Sequence, residues 1–476
     1  MKGDAPVSDA DGNPDISPGE EFLTPMPNAS SERLLRKIDW HLMPLMMFSY
    51  MLQFLDKQTL GQSAIMGIME DLNLDGNHYS WAGSIFYFAY LAFSYPVSML
   101  MVRLPIGKFL AINVLLWGAV LACHAATHNV AGLYATRFFL GATEAAASPG
   151  FSLITGMWYT REEQPLRHGI WFAGNSFATA FGGLVAYGVA HIHGSIAAWK
   201  WLFIIYGLTT VVLAIALLIF LPDSPLSARF LMEHERREAV ERLKHNQTGI
   251  KSDVIQWDQV WQALTDYRIW ILFFFQVANN IPNGGLTMFG TIVLSGMGFS
   301  TLNTYLLQMP MGTVHGLFVI GRLTGCVLIY ACERQGPRLL GMFLFTAYAA
   351  GLPMTLSMVS SNVAGFTKKA TVSAMMFVAY CTGNIIGPFL FFSREQPGYK
   401  SGFIAVMACL SAATVLILIL GLLWRLENAK RDQIHGQVVP NHAVIINTND
   451  NKTSVIVPEL AADITDTDNP NFRYVY

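Results

Sequence analysis

The segment S-A-R-F-L-M-E-H-E-R-R-E-A-V-E-R-L, residues 227–243, divides the chain. On either side run apolar stretches of about 20 residues, each long enough to cross a bilayer as a helix. Inside the segment, charges fall at i, i+3 and i+4 spacings that suit a solvated helix, and Ser227 stands where an N-cap would. It lies within a polar stretch, 222–268, that reads as a connector; a partner-binding role is the alternative. Working outward, upstream spans are expected at 41–66, 80–102, 109–127, 132–158, 169–192 and 199–221. Downstream spans are expected at 269–297, 302–332, 338–359, 370–392 and 401–424.

The fold class implied is an all-α polytopic membrane protein. Its predicted organisation is a disordered tail over 1–38, a six-helix half over 39–221, the connector, a second half of about five helices over 269–424, and a polar tail over 425–476. Composition agrees: 53% of residues are hydrophobic and 13% charged, against roughly a quarter charged in soluble proteins. Residues 1–38 lack the charged and apolar regions of a signal peptide, so the first span is expected to direct insertion.

Several function classes drop out. The net charge is −2, with no basic patch interleaved with aromatics, so nucleic acid is not an expected partner. The five cysteines, Cys123, Cys326, Cys332, Cys381 and Cys409, fall in or beside apolar runs without CxxC spacing, which argues against a disulfide framework or a metal site. No catalytic constellation and no phosphate-binding P-loop is present, so neither enzymatic chemistry nor ATP-driven pumping is expected, and no cofactor is implied. The expected partner on composition is the lipid bilayer.

Basic residues alternate sides. Arg33, Arg36 and Lys37, then Arg103 and Lys108, then Arg161 and Arg167 lie on one side with the connector, and Lys200 alone lies on the other. The excess of Lys and Arg assigns the first side to the cytoplasm. Asn28, Asn246 and Asn451 begin glycosylation sequons on that side, so glycosylation is not expected. One stretch breaks the pattern. In S-N-V-A-G-F-T-K-K-A, 361–370, counting spans puts Lys368 and Lys369 outside.

Six spans, a long connector and a second set of spans is the organisation of the major facilitator superfamily, and the motifs sharpen the likeness. L-D-K-Q-T-L-G-Q-S-A, 55–64, resembles the end of the first helix in its anion:cation symporter family. R-F-F-L-G-A-T-E-A-A-A-S-P-G, 137–150, resembles the fourth helix, W-K-W-L-F-I-I-Y-G, 199–207, the sixth, and L-P-D-S-P-L-S-A-R-F-L, 221–231, the exit into the connector. The lysine-pair stretch, G-N-I-I-G-P at 383–388 and N-P-N-F-R-Y-V-Y at 469–476 are similar to the fungal allantoate permease subgroup. The resemblance implies two helical halves around a central site, twelve spans with both termini cytoplasmic, and proton-coupled uptake of a small organic anion, such as a carboxylate, a vitamin-like compound or a ureide, at the plasma membrane. Metabolite efflux and a non-transporting sensor or defective transporter are the alternatives. The resemblance further implies a monomer with a small-molecule substrate as its partner. It also implies that the lysine pair faces the cytoplasm. Residues 302–320 resemble the first half of an eighth helix and 324–338 the end of a ninth, so a segment is expected to be missing near Gly321–Arg322, fusing the two and leaving about 11 spans.

Charges inside spans are costly, which makes them candidates for substrate binding or coupling. Asp56 and Lys57 lie in the first run, and Arg137 and Glu144, two helical turns apart on one face, in the fourth. Lys57 matches the family's arginine and can attract an anion, or it can pair with Asp56 near the helix end. Arg137 can hold an anion or anchor a gate and Glu144 can take up a proton, or the two can form a structural pair. His315 titrates near neutrality and is a further coupling candidate. In Q-V-A-N-N-I-P-N-G-G, 276–285, Pro282 interrupts the hydrogen-bond ladder, and Asn279, Asn280 and Asn283 offer uncharged donors and acceptors; a packing kink is the alternative. Asn175 and Asn384 are weaker polar candidates, and F-G-G-L-V-A-Y-G, 181–188, suits close helix packing. Ser94 and Tyr206 stand where the family often has glutamate and Thr59 where it has asparagine, so coupling through those positions is not expected. The native transcript read across codons 300–345 is expected to carry additional in-frame sequence near Gly321–Arg322; a transcript that matches the chain would leave eleven spans.

Overall fold

A computed structural model describes residues 28–160, 163–192, 194–244, 256–308, 340, 355, 358–359, 361–396, 398–435, 464–470 and 472–475. The first helix, α1 (Asn28–Ser63), starts inside the stretch expected to be disordered. Leu34, Ile38 and Leu42 recur at i+4 and are buried, and Lys37 meets Glu235 at 2.6 Å while Arg167 grips Asp39 at 2.8 Å. These contacts with later segments draw the helix out beyond its apolar run. It ends in a wide turn, Ala64–Ile68, where Gly67 takes φ 98°, a conformation glycine adopts without strain.

There follow α2 (His78–Arg103), α3 (Ile106–Cys123), α4 (Val130–Glu144), α5 (Ala147–Trp158), α6 (Gln164–Phe172), α7 (Gly174–Val189) and α8 (Ala198–Phe220). The expected fourth span is thus two helices. Pro149 has no N–H to give the Ala145 carbonyl, so the ladder opens between Glu144 and Ala147. The expected fifth span likewise divides at Ala173.

The connector differs from its sequence reading. Ser227 caps no long helix; it closes a reciprocal box with Ser224 around the turn Pro225–Ser227. The charged helix, α9 (Glu233–Lys244), begins later, with the Glu235 carboxylate accepting the Met232 amide at 2.7 Å. Burial alone would raise the Glu235 carboxyl, but Lys37 and that amide hold it below the usual range. A second amphipathic helix, α10 (Trp257–Thr265), leads into the other half.

In that half, α11 (Tyr267–Ser295) runs unbroken through Pro282, and α12 (Thr301–Leu306) is capped by Ser300. After them come α13 (Phe366–Ile386) and α14 (Lys400–His435). The last helix exceeds its expected span, 401–424, and the described residues of 464–475 fold back against the bundle. His315, Arg322, the expected fusion at Gly321–Arg322 and most of the expected spans 302–332 and 338–359 lie outside the described residues.

Hydrogen bonds and ion pairs define two ends of the bundle. Lys37, Arg167, Glu163, Arg242 and Glu235 interlock at end one. Ser80, Ser84 and Gly76 meet Pro388, Ile385 and Ser393 at end two. Lys108 and Asp223, at the start of α3 and just past α8, are also paired, which puts the connector at end one. Helix α11 leaves end one, where Asp266 caps it through the Arg268 amide. Lys368, beside Asp266 at 3.7 Å and Asp466 at 2.8 Å, therefore lies at end one as well. This corrects the outward placement that counting eleven spans gives. Thr355 bonds Gln276 and Asn362 bonds Val475, so the chain approaching Lys368 travels from within the bundle toward end one. Cysteines placed singly at Lys369 and Arg237 are expected to react with an impermeant thiol reagent from the same face of the membrane, and one at Asp75 from the opposite face. Labelling of Lys369→Cys together with Asp75→Cys would contradict this arrangement.

Candidate functional site in the central cavity

Helix α1 turns one stripe toward the middle of the bundle: Tyr50, Gln53, Phe54 and Lys57, at i, i+3, i+4 and i+7. Facing it are Tyr87 of α2, Phe172 and Asn175 at the α6–α7 junction, Asn279, Asn280, Asn283 and Thr287 of α11, and Tyr380 of α13. The cavity volume is about 50 Å³. That is room for a few waters and well short of the several hundred Å³ that an organic ligand fills; the cavity is constricted around its polar lining.

Lys57 supplies the cavity's cation. Its side chain is 14% exposed, and its Nζ lies 2.5 Å from Glu144 Oε1, which is fully buried. The rings of Phe86 and Tyr90 stand 5.7 and 5.8 Å from the ammonium, close enough for cation–π attraction. Asp56, one residue earlier and therefore about 100° round the helix, faces away from the cavity and accepts the Trp117 indole N–H of α3. The pairing is thus Lys57 with Glu144. It is neither Lys57 with Asp56 nor Arg137 with Glu144, the pairs that sequence proximity suggests. Arg137 is buried behind this cluster, where it lines a smaller hollow together with Lys57, Gly83, Phe86, Tyr87 and Gly284.

The opposite wall carries carboxamides. Asn283 donates to Asn384 Oδ1 at 2.7 Å, and Asn384 donates to the Tyr380 carbonyl at 2.8 Å. Asn384 is fully buried and acts on the cavity through Asn283. Asn280 donates to the Gln276 carbonyl at 2.7 Å. Asn175 Oδ1, across the cavity, accepts no hydrogen bond among the described residues. Glycines let this wall close up. An added Cβ at Gly284 would lie 2.6 Å from the Asn384 carbonyl, and one at Gly387 would lie 2.3 Å from the Ile281 carbonyl. Gly284 therefore seats α13 on α11, while Pro282 leaves the helix continuous.

Of the residues singled out from sequence, Lys57, Asn175, Asn279, Asn280 and Asn283 line the cavity. Glu144 reaches it through Lys57, Asp56 and Arg137 stand behind it, and His315 lies outside the described residues. Tyr50, Gln53, Phe54, Tyr87, Phe172, Thr287 and Tyr380 were not anticipated. The signal for three of them was the helical spacing back from Lys57.

End two is sealed between the halves. Gln62 donates to Gln308 at 3.0 Å, Tyr79 to the Met288 carbonyl at 2.8 Å, and Tyr305 to the Gln62 carbonyl at 2.9 Å. A Cβ at Gly183 would stand 2.2 Å from the Tyr305 carbonyl, so the close approach needs glycine there. The packing follows the same asymmetry. One hydrophobic cluster runs from the first half through Met288, Phe289 and Phe391 at end two. A separate cluster, including Ile269, Leu272, Val372 and Trp424, fills end one of the second half.

The model of the Major Facilitator Superfamily matches residues 46–388. The chain belongs to the major facilitator superfamily. It is a transmembrane transporter of that family, an integral membrane protein and not an enzyme. It is 34% identical to the allantoate permease of Saccharomyces cerevisiae, over 93% of this chain and 86% of that one. It is 30% identical to the thiamine pathway transporter THI73 of the same organism, over 97% and 90%. Among solved structures, an inward-facing, unoccupied bacterial homologue of the human lysosomal transporter Spinster aligns with a TM-score of 0.60 at 14% identity, over 84% of this chain and 98% of that one. The D-xylose-proton symporter aligns with a TM-score of 0.58 at 12% identity, over 78% and 97%. These likenesses establish the shared fold of this transporter family.

The seal at end two generates a prediction. Gly183→Ala is expected to destabilise this sealed state by about 1–3 kcal/mol, the usual cost of overpacking, whereas Gly188→Ala, with open space around it, should be neutral or slightly stabilising. Thermal unfolding of the two purified variants checks this, and equal midpoints would count against the seal as described.

Proposed function

We propose that the transporter carries a small organic anion, a carboxylate, vitamin-like compound or ureide, into the cell together with a proton, by alternating access around the central cavity, in the plasma membrane with end one cytoplasmic. The observation that carries this reading is the Lys57–Glu144 pair in a cavity otherwise lined by aromatic and carboxamide side chains and the Thr287 hydroxyl. A buried lysine satisfied by a carboxylate has little attraction left for a substrate anion. Protonating Glu144 frees the ammonium, and the substrate's own carboxylate then replaces the lost partner. Anion and proton enter as a neutral pair, which removes the penalty of adding a net charge to the bundle. The carboxamides opposite supply donors and acceptors for the rest of the molecule without adding charge. The allantoate permease, at 34% identity over most of both chains, supports an anionic ureide as the first compound to test.

The test is uptake of a panel of labelled organic anions, allantoate first, in cells lacking their own uptake systems. Lys57→Gln is expected to lower uptake about tenfold or more, since a hydrogen bond to a charged group contributes about 1.5–3 kcal/mol. Lys57→Arg should retain much of it. Glu144→Gln should abolish accumulation driven by an acidic exterior while leaving exchange of substrate across the membrane. Uptake by Lys57→Gln equal to that of the unaltered protein would overturn the anion reading, and unaltered pH-driven accumulation by Glu144→Gln would overturn the coupling.

A further inference from the structure

Lys368 is the unexplained charge of the second half. Its side chain is fully buried, yet it is far from the cavity. Its Nζ donates to Thr467 Oγ1 at 2.7 Å and pairs with Asp466 Oδ1 at 2.8 Å; both partners belong to the segment 464–475. The same segment is held along its backbone. Asn428 of α14 donates to the Tyr474 carbonyl at 2.8 Å and accepts the Tyr474 amide at 2.9 Å. Asn362 does the same for Val475, at 2.9 and 2.6 Å. Arg431 donates to three carbonyls, those of Asp466, Asn469 and Phe472. Tyr474 is buried, stacked on Trp424, with its hydroxyl accepting from Arg268 at 2.6 Å.

This is how a docked peptide is bound. The described residues of the segment form no helix or strand of their own. Side-chain amides read its main chain in matched pairs, the buried Tyr474 anchors it, and two ion pairs, Lys368 with Asp466 and Arg473 with Asp432, fix its register. We propose that end one of the second half is a peptide-binding surface whose occupant is the chain's own segment 464–475, and that docking of this segment holds the end-one termini of α11, α13 and α14 together as one body. The geometry gives the reason. Asp266 caps α11, Lys368 opens α13 and Arg431 lies in the last turns of α14, and the segment touches all three. Without it, among the described residues Lys368 keeps only the more distant Asp266, and Arg431 keeps Glu427 but loses its three carbonyl acceptors. A buried cation left without its partner is strongly destabilising.

The test reads stability of the purified protein in detergent and is independent of any substrate, so it stands or falls separately from the transport reading. A chain ending at residue 462 is expected to unfold several degrees below the full chain, and a synthetic peptide of residues 463–476 added in trans should restore the midpoint saturably. Lys368→Met should lower the midpoint in the full chain and much less in the shortened one, because the two changes remove the same interaction. Equal midpoints for full and shortened chains, or additive effects of Lys368→Met and truncation, would overturn the proposal. Should the shortened chain fail to fold, Asn428→Ala in the intact chain carries the test. It removes both bonds to Tyr474, and protease cleavage within 464–475 is expected to run about tenfold faster, the effect of losing two hydrogen bonds of ordinary strength. An unchanged cleavage rate would overturn the proposal equally.

Discussion

The pair formed by Lys57 and Glu144, 2.5 Å apart with the carboxylate fully buried, constrains everything around it. A lysine inside a transmembrane bundle is tolerable only where a carboxylate, a dipole or water meets it. Meeting that need from α4 fixes the rotation of α1. The next position back, Asp56, then points into the first half and takes the Trp117 indole from α3. Two consecutive residues thereby tie α1 to α4 on one side and to α3 on the other. Once α1 is so oriented, Tyr50 and Gln53 must face the same way as Lys57, and the cavity wall follows from one ion pair.

The two ends of the bundle are built from different materials. At end two the halves meet through single neutral hydrogen bonds to carbonyls and through glycine backbones. Each such bond contributes only about 1 kcal/mol net, so the seal is one that modest differential binding can open. At end one the strong contacts stay within a half or join it to the connector: Lys37 with Glu235, Arg167 with Asp39, Lys368 with Asp466. The hydrophobic clusters divide along the same line. A molecule that rocks two halves about a central cavity needs this division, with weak bonds where halves separate and strong ones inside each moving part.

Much of this fold was legible in the sequence because its signals are local. Apolar runs of span length mark the helices, and charge at i+4 marks the connector helix. The failures were of two kinds. Some competing signals were equally local but were outranked: Ser224 with Ser227 closes a turn before the helix that Ser227 alone suggests, and Pro149 breaks the run 132–158 despite its hydropathy. Others were not local at all. Arg137 and Glu144 share a helix face, yet Glu144 is claimed by Lys57 from another helix. The carboxamides of α11 were recognisable as polar residues in an apolar run, but not that Asn384 would orient Asn283. The fold is written in periodicity, whereas the site is written in which helix faces which.

Lys368 shows the same limit at the level of topology. The excess of lysine on the cytoplasmic side describes exposed charges that stay with water and lipid headgroups during insertion. Lys368 is not exposed; its partners Asp266 and Asp466 lie roughly a hundred residues away in each direction, and at those separations no local rule of sequence connects them. Its side of the membrane is therefore set by what it binds. Asp266 caps the helix that follows the connector, so Lys368 shares an end with the connector whatever lies between. Helix α11 ends at Ser295 near end two, Thr355 meets Gln276 inside the bundle, and Asn362 lies with Val475 at end one. The buried ion pairs, and not the hydropathy profile, place Lys368 at end one.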